Sequence, residues 1–96
     1  MQRLTVTGNI IAKPDQIELV KTALKKLISS TLAEDGCIQY DLHQDNDDPT
    51  YFMFFENWKS QREWEIHMNA PQLVQFNAET EGAIEKFWVH KLTQIS

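Results

Sequence analysis

Apolar and polar side chains alternate at the start of the chain. Leu4, Val6, Gly8, Ile10 and Ala12 fall on one side of an extended backbone, and Thr5, Thr7, Asn9 and Ile11 on the other. This period of two predicts a first strand over 4–12. Pro14-Asp15 stops it, and Asp15 is a suitable N-cap with Glu18 three residues on. Ile17, Val20, Leu24, Leu27, Ile28 and Thr31 then recur at helical spacing, which predicts a helix from about 16 to 33. Asp35-Gly36 ends that helix, and Ile38, Tyr40 and Leu42 alternate with Gln39, Asp41 and His43 as a second strand.

Asp45-Asn46-Asp47-Asp48-Pro49 is turn chemistry, and the aromatic run from Tyr51 to Trp58 behind it makes a hairpin partner for the second strand. Ser60-Gln61-Arg62-Glu63 fits a capping box that opens a short helix carrying Trp64, His67 and Met68 along one side. Pro71 restarts the helix, Leu73, Val74 and Phe76 give it an apolar side, and Gly82 ends it. A fourth strand is expected from Ile84 to Ile95.

Strand, helix, two strands, helix, strand is the split βαβ order of a ferredoxin-like α+β fold, an antiparallel four-stranded sheet with its helices on one face. In the third strand Phe52, Phe54 and Trp58 point one way while Tyr51, Met53 and Phe55 point the other, so both faces are apolar. The helices cover one of them. A second copy of the chain is expected over the open sheet face, giving a homodimer.

With 96 residues, 42% of them hydrophobic, the chain is expected to be one ordered domain over 1–96. A net charge of −5 opposes phosphate neutralisation, so no nucleic-acid partner is expected. The apolar runs are too short to span a bilayer, and Met1-Gln2-Arg3-Leu4 has no signal-peptide core, so no membrane partner and a cytoplasmic location are expected. Cys37 is the only cysteine, which excludes an intramolecular disulfide and any paired-cysteine metal site. Its expected role is that of a small half-buried residue. Asp45, Asp47 and Asp48 lack EF-hand spacing, and His43 and His90 lack zinc spacing. Gly8, Gly36 and Gly82 are too scattered for a phosphate-cradling loop. Neither a metal nor a nucleotide cofactor is implied.

Several blocks together carry a resemblance: Glu34-Asp35-Gly36-Cys37-Ile38-Gln39-Tyr40-Asp41-Leu42-His43-Gln44-Asp45, then Asp48-Pro49, Phe55-Glu56-Asn57-Trp58, and His67 ahead of Phe76. In order and spacing they resemble the antibiotic biosynthesis monooxygenase family, in particular its small quinol-monooxygenase-like members. The resemblance implies a dimeric α/β barrel with a pocket between helices and sheet in each subunit. It also implies oxidation of quinols or polycyclic phenols by molecular oxygen without flavin or metal. Other members of that family degrade haem or isomerise a phosphorylated sugar-like molecule. The haem-degrading pattern of Asn, Trp and axial His is matched here only by Asn9, since His67 stands at the Trp position and Asn77 at the axial His position. Haem oxygenation is therefore disfavoured.

A phenol or quinol reacts with oxygen once deprotonated, so an apolar pocket with one base suffices. His67 is the expected base, since an imidazole titrates near neutral pH and helical spacing puts it beside Trp64. Asn9 is the expected donor to a substrate oxygen. Trp64, Phe55, Phe76 and Trp88 are candidate walls for a flat ligand, with Tyr40 adding a hydroxyl as proton relay. Glu56, a carboxylate among rings, reads as structural. The alternatives to an oxygenase are an isomerase of a small carbonyl metabolite using the same pocket, and a non-catalytic dimeric ligand-binding protein.

Overall fold

The first strand lies inside the sheet, with a neighbour on each side. In the computed structural model, which describes residues 3–96, the elements are β1 (Leu4–Ala12), α1 (Ile17–Leu32), β2 (Cys37–Gln44), β3 (Tyr51–Trp58), α2 (Gln61–Met68), α3 (Pro71–Glu79) and β4 (Ile84–Leu92). Met1 and Gln2, the first residues of the expected 1–96 domain, lie outside the described residues. The sheet order is β2-β3-β1-β4 and every pairing is antiparallel, the ferredoxin-like arrangement.

Strand alternation sorts the sheet into two faces. In register, Gly8 lies between Phe54 and Val89, and Ile10 between Phe52 and Phe87. This set faces the helices. The α1 stripe Val20, Ala23, Leu24 and Leu27 joins Val6, Ile10, Ala12, Phe52, Phe54 and Trp58 in one buried core. Each fully buried side chain such as Phe52 or Leu24 contributes roughly 1.5–3 kcal/mol through removal from water. The opposite set, Thr5, Thr7, Asn9 and Ile11 with Tyr51, Met53, Phe55 and Asn57, makes the open face.

The acidic stretch after β2 is a turn that caps itself. Asp45 Oδ1 accepts the N–H groups of Asp47 and Asp48 at 2.8 and 2.9 Å, and Asp48 Oδ1 accepts the Thr50 hydroxyl at 2.6 Å.

Four local expectations are corrected. The Pro14-Asp15 turn closes by a bond from Gln16 N–H to the Lys13 carbonyl at 2.9 Å, so the α1 cap is Gln16 rather than Asp15, without a side-chain cap bond. Ser60 stands at the N-cap position of α2 but makes no side-chain cap bond, and the capping-box bond does not form: Glu63 lies over Gly36 instead, which has no side chain to keep it away. In β2, Cys37 pairs with Trp58 and Gln39 with Asn57, leaving Ile38 as an extra residue in the ladder. β4 stops at Leu92 rather than Ile95, because Leu92 already pairs with Thr5 near the beginning of β1 and little partner strand remains.

Candidate active site

Between the helices and the sheet lies a pocket to which every strand and helix contributes. Gly8 and Ile10 come from β1, Tyr40 from β2, Phe54 and Glu56 from β3, and Phe87 and Val89 from β4. From the helical side come Leu24 and Leu27 of α1, Trp64, His67 and Met68 of α2, and Leu73 and Phe76 of α3. Its open volume is about 40 Å³, room for two or three waters rather than for an aromatic ring. A second hollow of about 370 Å³ adjoins it, and Met68, Leu73, Phe76 and Phe87 line both. A ring-sized molecule would fit there only with those four side chains displaced.

His67 is 2% exposed. Its Nδ1 is 2.7 Å from Glu34 Oε2, which also accepts a hydrogen bond from Gln72 Nε2 at 2.9 Å. The connection between α1 and β2 holds Glu34 in place: its N–H donates to the Thr31 carbonyl at 3.0 Å, and its carbonyl accepts from Cys37 N–H at 3.1 Å. The imidazole tilts against Trp58 at 4.6 Å and meets the edge of Tyr40 at 5.5 Å between ring centroids. A carboxylate at this distance favours the tautomer in which Nδ1 donates, and a neutral imidazole so held keeps its lone pair on Nε2. This is the arrangement of a general base oriented by a carboxylate.

Tyr40 is buried and stacks on Phe54 at 4.3 Å. Burial first, then the charge of Glu56, holds its hydroxyl well above the ordinary phenol range, so it remains a neutral donor. Glu56 sits beside it in register and is 5% exposed. Its Oε1 accepts the Trp58 indole N–H at 2.9 Å. Burial pushes the Glu56 carboxyl up from 4.5 to about 7, with the Trp58 bond opposing and the charge of Glu34 adding.

The expected site residues divide between the two faces. His67, Trp64, Phe76 and Tyr40 meet in the pocket. Asn9, Phe55 and Trp88 do not. Asn9 is one residue out of phase with Gly8 and Ile10, so alternation turns it to the open face. There its Oδ1 accepts the Tyr51 hydroxyl at 2.5 Å, and its Nδ2 donates to the Thr7 and Trp88 carbonyls at 3.3 and 3.4 Å. Trp88 stacks on Tyr51 at 6.0 Å beneath the Lys86 ammonium, and Phe55 shares a row with Thr7. The pairing of Asn9 with His67 in one pocket is thus corrected. Asn77 lines only the outer hollow. Among the described residues, no three His, Cys, Asp or Glu side chains are grouped to hold a metal, and no helix is long and apolar enough to cross a membrane.

The sequence model for "Antibiotic biosynthesis monooxygenase" matches residues 3–79. The chain belongs to the antibiotic biosynthesis monooxygenase family. A solved structure from Pseudomonas aeruginosa aligns with a TM-score of 0.94 at 30% identity, covering 100% of this chain and 97% of that one. One from Shewanella oneidensis aligns at 0.90 with 26% identity, covering 97% and 91%. A protein of Synechocystis is 32% identical over 76% of this chain; the match spans 50% of that relative's length. A protein of Mycobacterium tuberculosis named "putative monooxygenase" is 28% identical over 79% of this chain and 74% of its own.

For this antibiotic biosynthesis monooxygenase domain, the residue-by-residue reading missed three contributors to the pocket region. Glu34 was legible only as part of the family-like block. Glu56 shares its strand phase with Phe52, Phe54 and Trp58, which already puts it on the helix side. Gly8 shares that side from β1.

Proposed function

We propose that the protein is a monooxygenase that oxidises a small quinol or related aromatic with molecular oxygen, using no flavin or metal, with His67 as the base. The observation that carries this is the 2.7 Å bond between His67 and Glu34 at the edge of a pocket walled by Trp64, Phe54, Phe76 and Phe87. The bond leaves Nε2 free to take a hydroxyl proton, and the flat apolar walls suit a planar ring while excluding water. Asn9 has no part in this chemistry, its amide being engaged on the other face. The half-buried Tyr51, Met53, Phe55 and Trp88 on that face support a second copy as the protein partner, read out by sedimentation at several concentrations.

The test is oxygen uptake by chelator-treated protein over a panel of benzo- and naphthoquinols, beside His67→Ala. Turnover lost by about a hundredfold or more in the variant is expected. No uptake with any quinol, or equal uptake by the variant, refutes the assignment. A second reading, an isomerase of a small carbonyl compound, is favoured by the presence of two proton-transfer groups, His67 and Glu56, in one pocket. Anaerobic conversion of a ketone by the wild type would decide for it.

A further inference from the structure

Gly8 occupies a costly place for a glycine. It is in the middle of an interior strand, where glycine is less favourable than alanine by roughly 0.5–1 kcal/mol. Its backbone does not require this: Gly82 is the only described glycine with positive φ. What Gly8 provides is space. A Cβ there would sit 3.1 Å from Glu56 Oε2 and 3.8 Å from Phe54 Cβ. Glu56 is itself fixed at one end, Oε1 on the Trp58 indole, while Oε2 has no hydrogen-bond partner among the described residues. Gly8 and Glu56 both line the pocket.

We infer that Gly8 and Glu56 form a substrate subsite, in which Glu56 Oε2 contacts an oxygenated ring carbon in the gap over Gly8 and acts as a second catalytic residue beside His67. This rests on the oxygenase reading for its reaction. His67 takes a proton from one quinol hydroxyl, the quinolate passes one electron to oxygen, and the two radicals join in a C–O bond. His67 returns its proton to the peroxide. The C–H bond at that carbon and the O–O bond then break together. The C–H electron pair becomes the new C=O bond, Glu56 takes the proton, and it hands that proton to the departing hydroxide. Quinol and oxygen become hydroxyquinone and water. Returning its proton leaves His67 a free base again, so the case for a second base is one of place: the second proton leaves from carbon in the gap over Gly8, where Glu56 Oε2 lies.

The raised affinity of Glu56 for a proton suits a carboxylate that must accept one and release it near neutrality. The titratable groups around it are His67 from α2, Tyr40 and Cys37 from β2, Glu34 before β2, and Lys91 in the same row on β4, its ammonium 5.5 Å over Trp64. Among the pocket residues, α1 and α3 contribute only apolar ones.

The experiment compares wild type, Glu56→Gln and Gly8→Ala, all first shown to unfold cooperatively in urea. With the peroxide formed but its elimination stalled, the adduct loses hydroperoxide instead, giving quinone and hydrogen peroxide. Both variants are expected to shift product from hydroxyquinone to quinone plus peroxide, with the hydroxyquinone rate down by about a hundredfold in Glu56→Gln. Separately, 2-naphthol titrated under nitrogen is expected to move the Glu56 side-chain carbon resonance in wild type and to bind more weakly to Gly8→Ala. If wild type takes up no oxygen but naphthol still perturbs Glu56, the subsite stands and the oxygenase assignment falls. If Glu56→Gln keeps full hydroxyquinone yield, or naphthol leaves Glu56 unperturbed, the inference is overturned.

Discussion

Removing Glu34 tests whether the base is held in place by its carboxylate. Glu34→Ala deletes the acceptor 2.7 Å from His67 Nδ1 and 2.9 Å from Gln72 Nε2. His67 is 2% exposed, so water reaches its orphaned nitrogen poorly, whereas the Glu34 side chain is 19% exposed and its own desolvation is partial. Hydrogen bonds to charged groups contribute about 1.5–3 kcal/mol, and solvent access at the Glu34 end brings the expected coupling down to about 1–2 kcal/mol. The assay is a double-mutant cycle of Glu34→Ala and His67→Ala by urea denaturation at one protein concentration. His67→Ala alone also opens a void beside Trp58 and Tyr40, so its single cost is larger than the coupling. The cycle cancels that void. Costs that add within about 0.5 kcal/mol would mean the pair is a contact without energetic weight, and the orientation of the base would need another cause.

Glu56, Gly36 and Cys37 each give a further measurable outcome. Glu56 binds its proton more tightly folded than unfolded, so its contribution to stability is whole below its ordinary 4.5 and is lost as pH rises through about 7. That loss is roughly 3 kcal/mol, and urea denaturation from about pH 5 to about pH 8 should show wild type declining relative to Glu56→Gln by this order; parallel profiles would refute the burial argument. Gly36→Ala would place a methyl 2.3 Å from Glu63 Cβ, an atom tied to the α2 backbone, and should cost about 1–3 kcal/mol by the same measurement; a loss under about 0.5 kcal/mol would contradict that packing. Burial first, then the charges of Glu34 and Glu56, pushes the Cys37 thiol up to about 11. Its reaction with iodoacetamide at about pH 8 should therefore quicken about a hundredfold on unfolding, and equal rates would sink the assignment.

Much of this was visible in the residue pattern, because local physics decides it. The helical stripe from Val20 to Thr31, the alternation of β1 and the Asp45 turn each depend on neighbours a few residues away. β1 even carries the evidence against Asn9 in the pocket, since it alternates with Val6, Gly8 and Ile10 on the apolar side. Phe55 and Trp88 were harder. β3 is aromatic on both faces, so composition does not say which rings lie beneath the helices. The partner of His67 was beyond the pattern altogether: Glu34 lies 33 residues earlier, and only the packing of α2 over the start of β2 brings the two together.

The interior place of β1 has a consequence for biosynthesis. Gly8 is made well before its ladder partners Phe54 and Val89, which lie 46 and 81 residues further along the chain. Such long separations make closure slow relative to helix formation. Until β4 has emerged from the ribosome, one side of β1 is unpaired, a template for unwanted association. The pocket between sheet and helices therefore comes into being only once β4 has docked, in the same step that completes the sheet, and a chain cut before Ile84 is expected to lose the pocket and its solubility together.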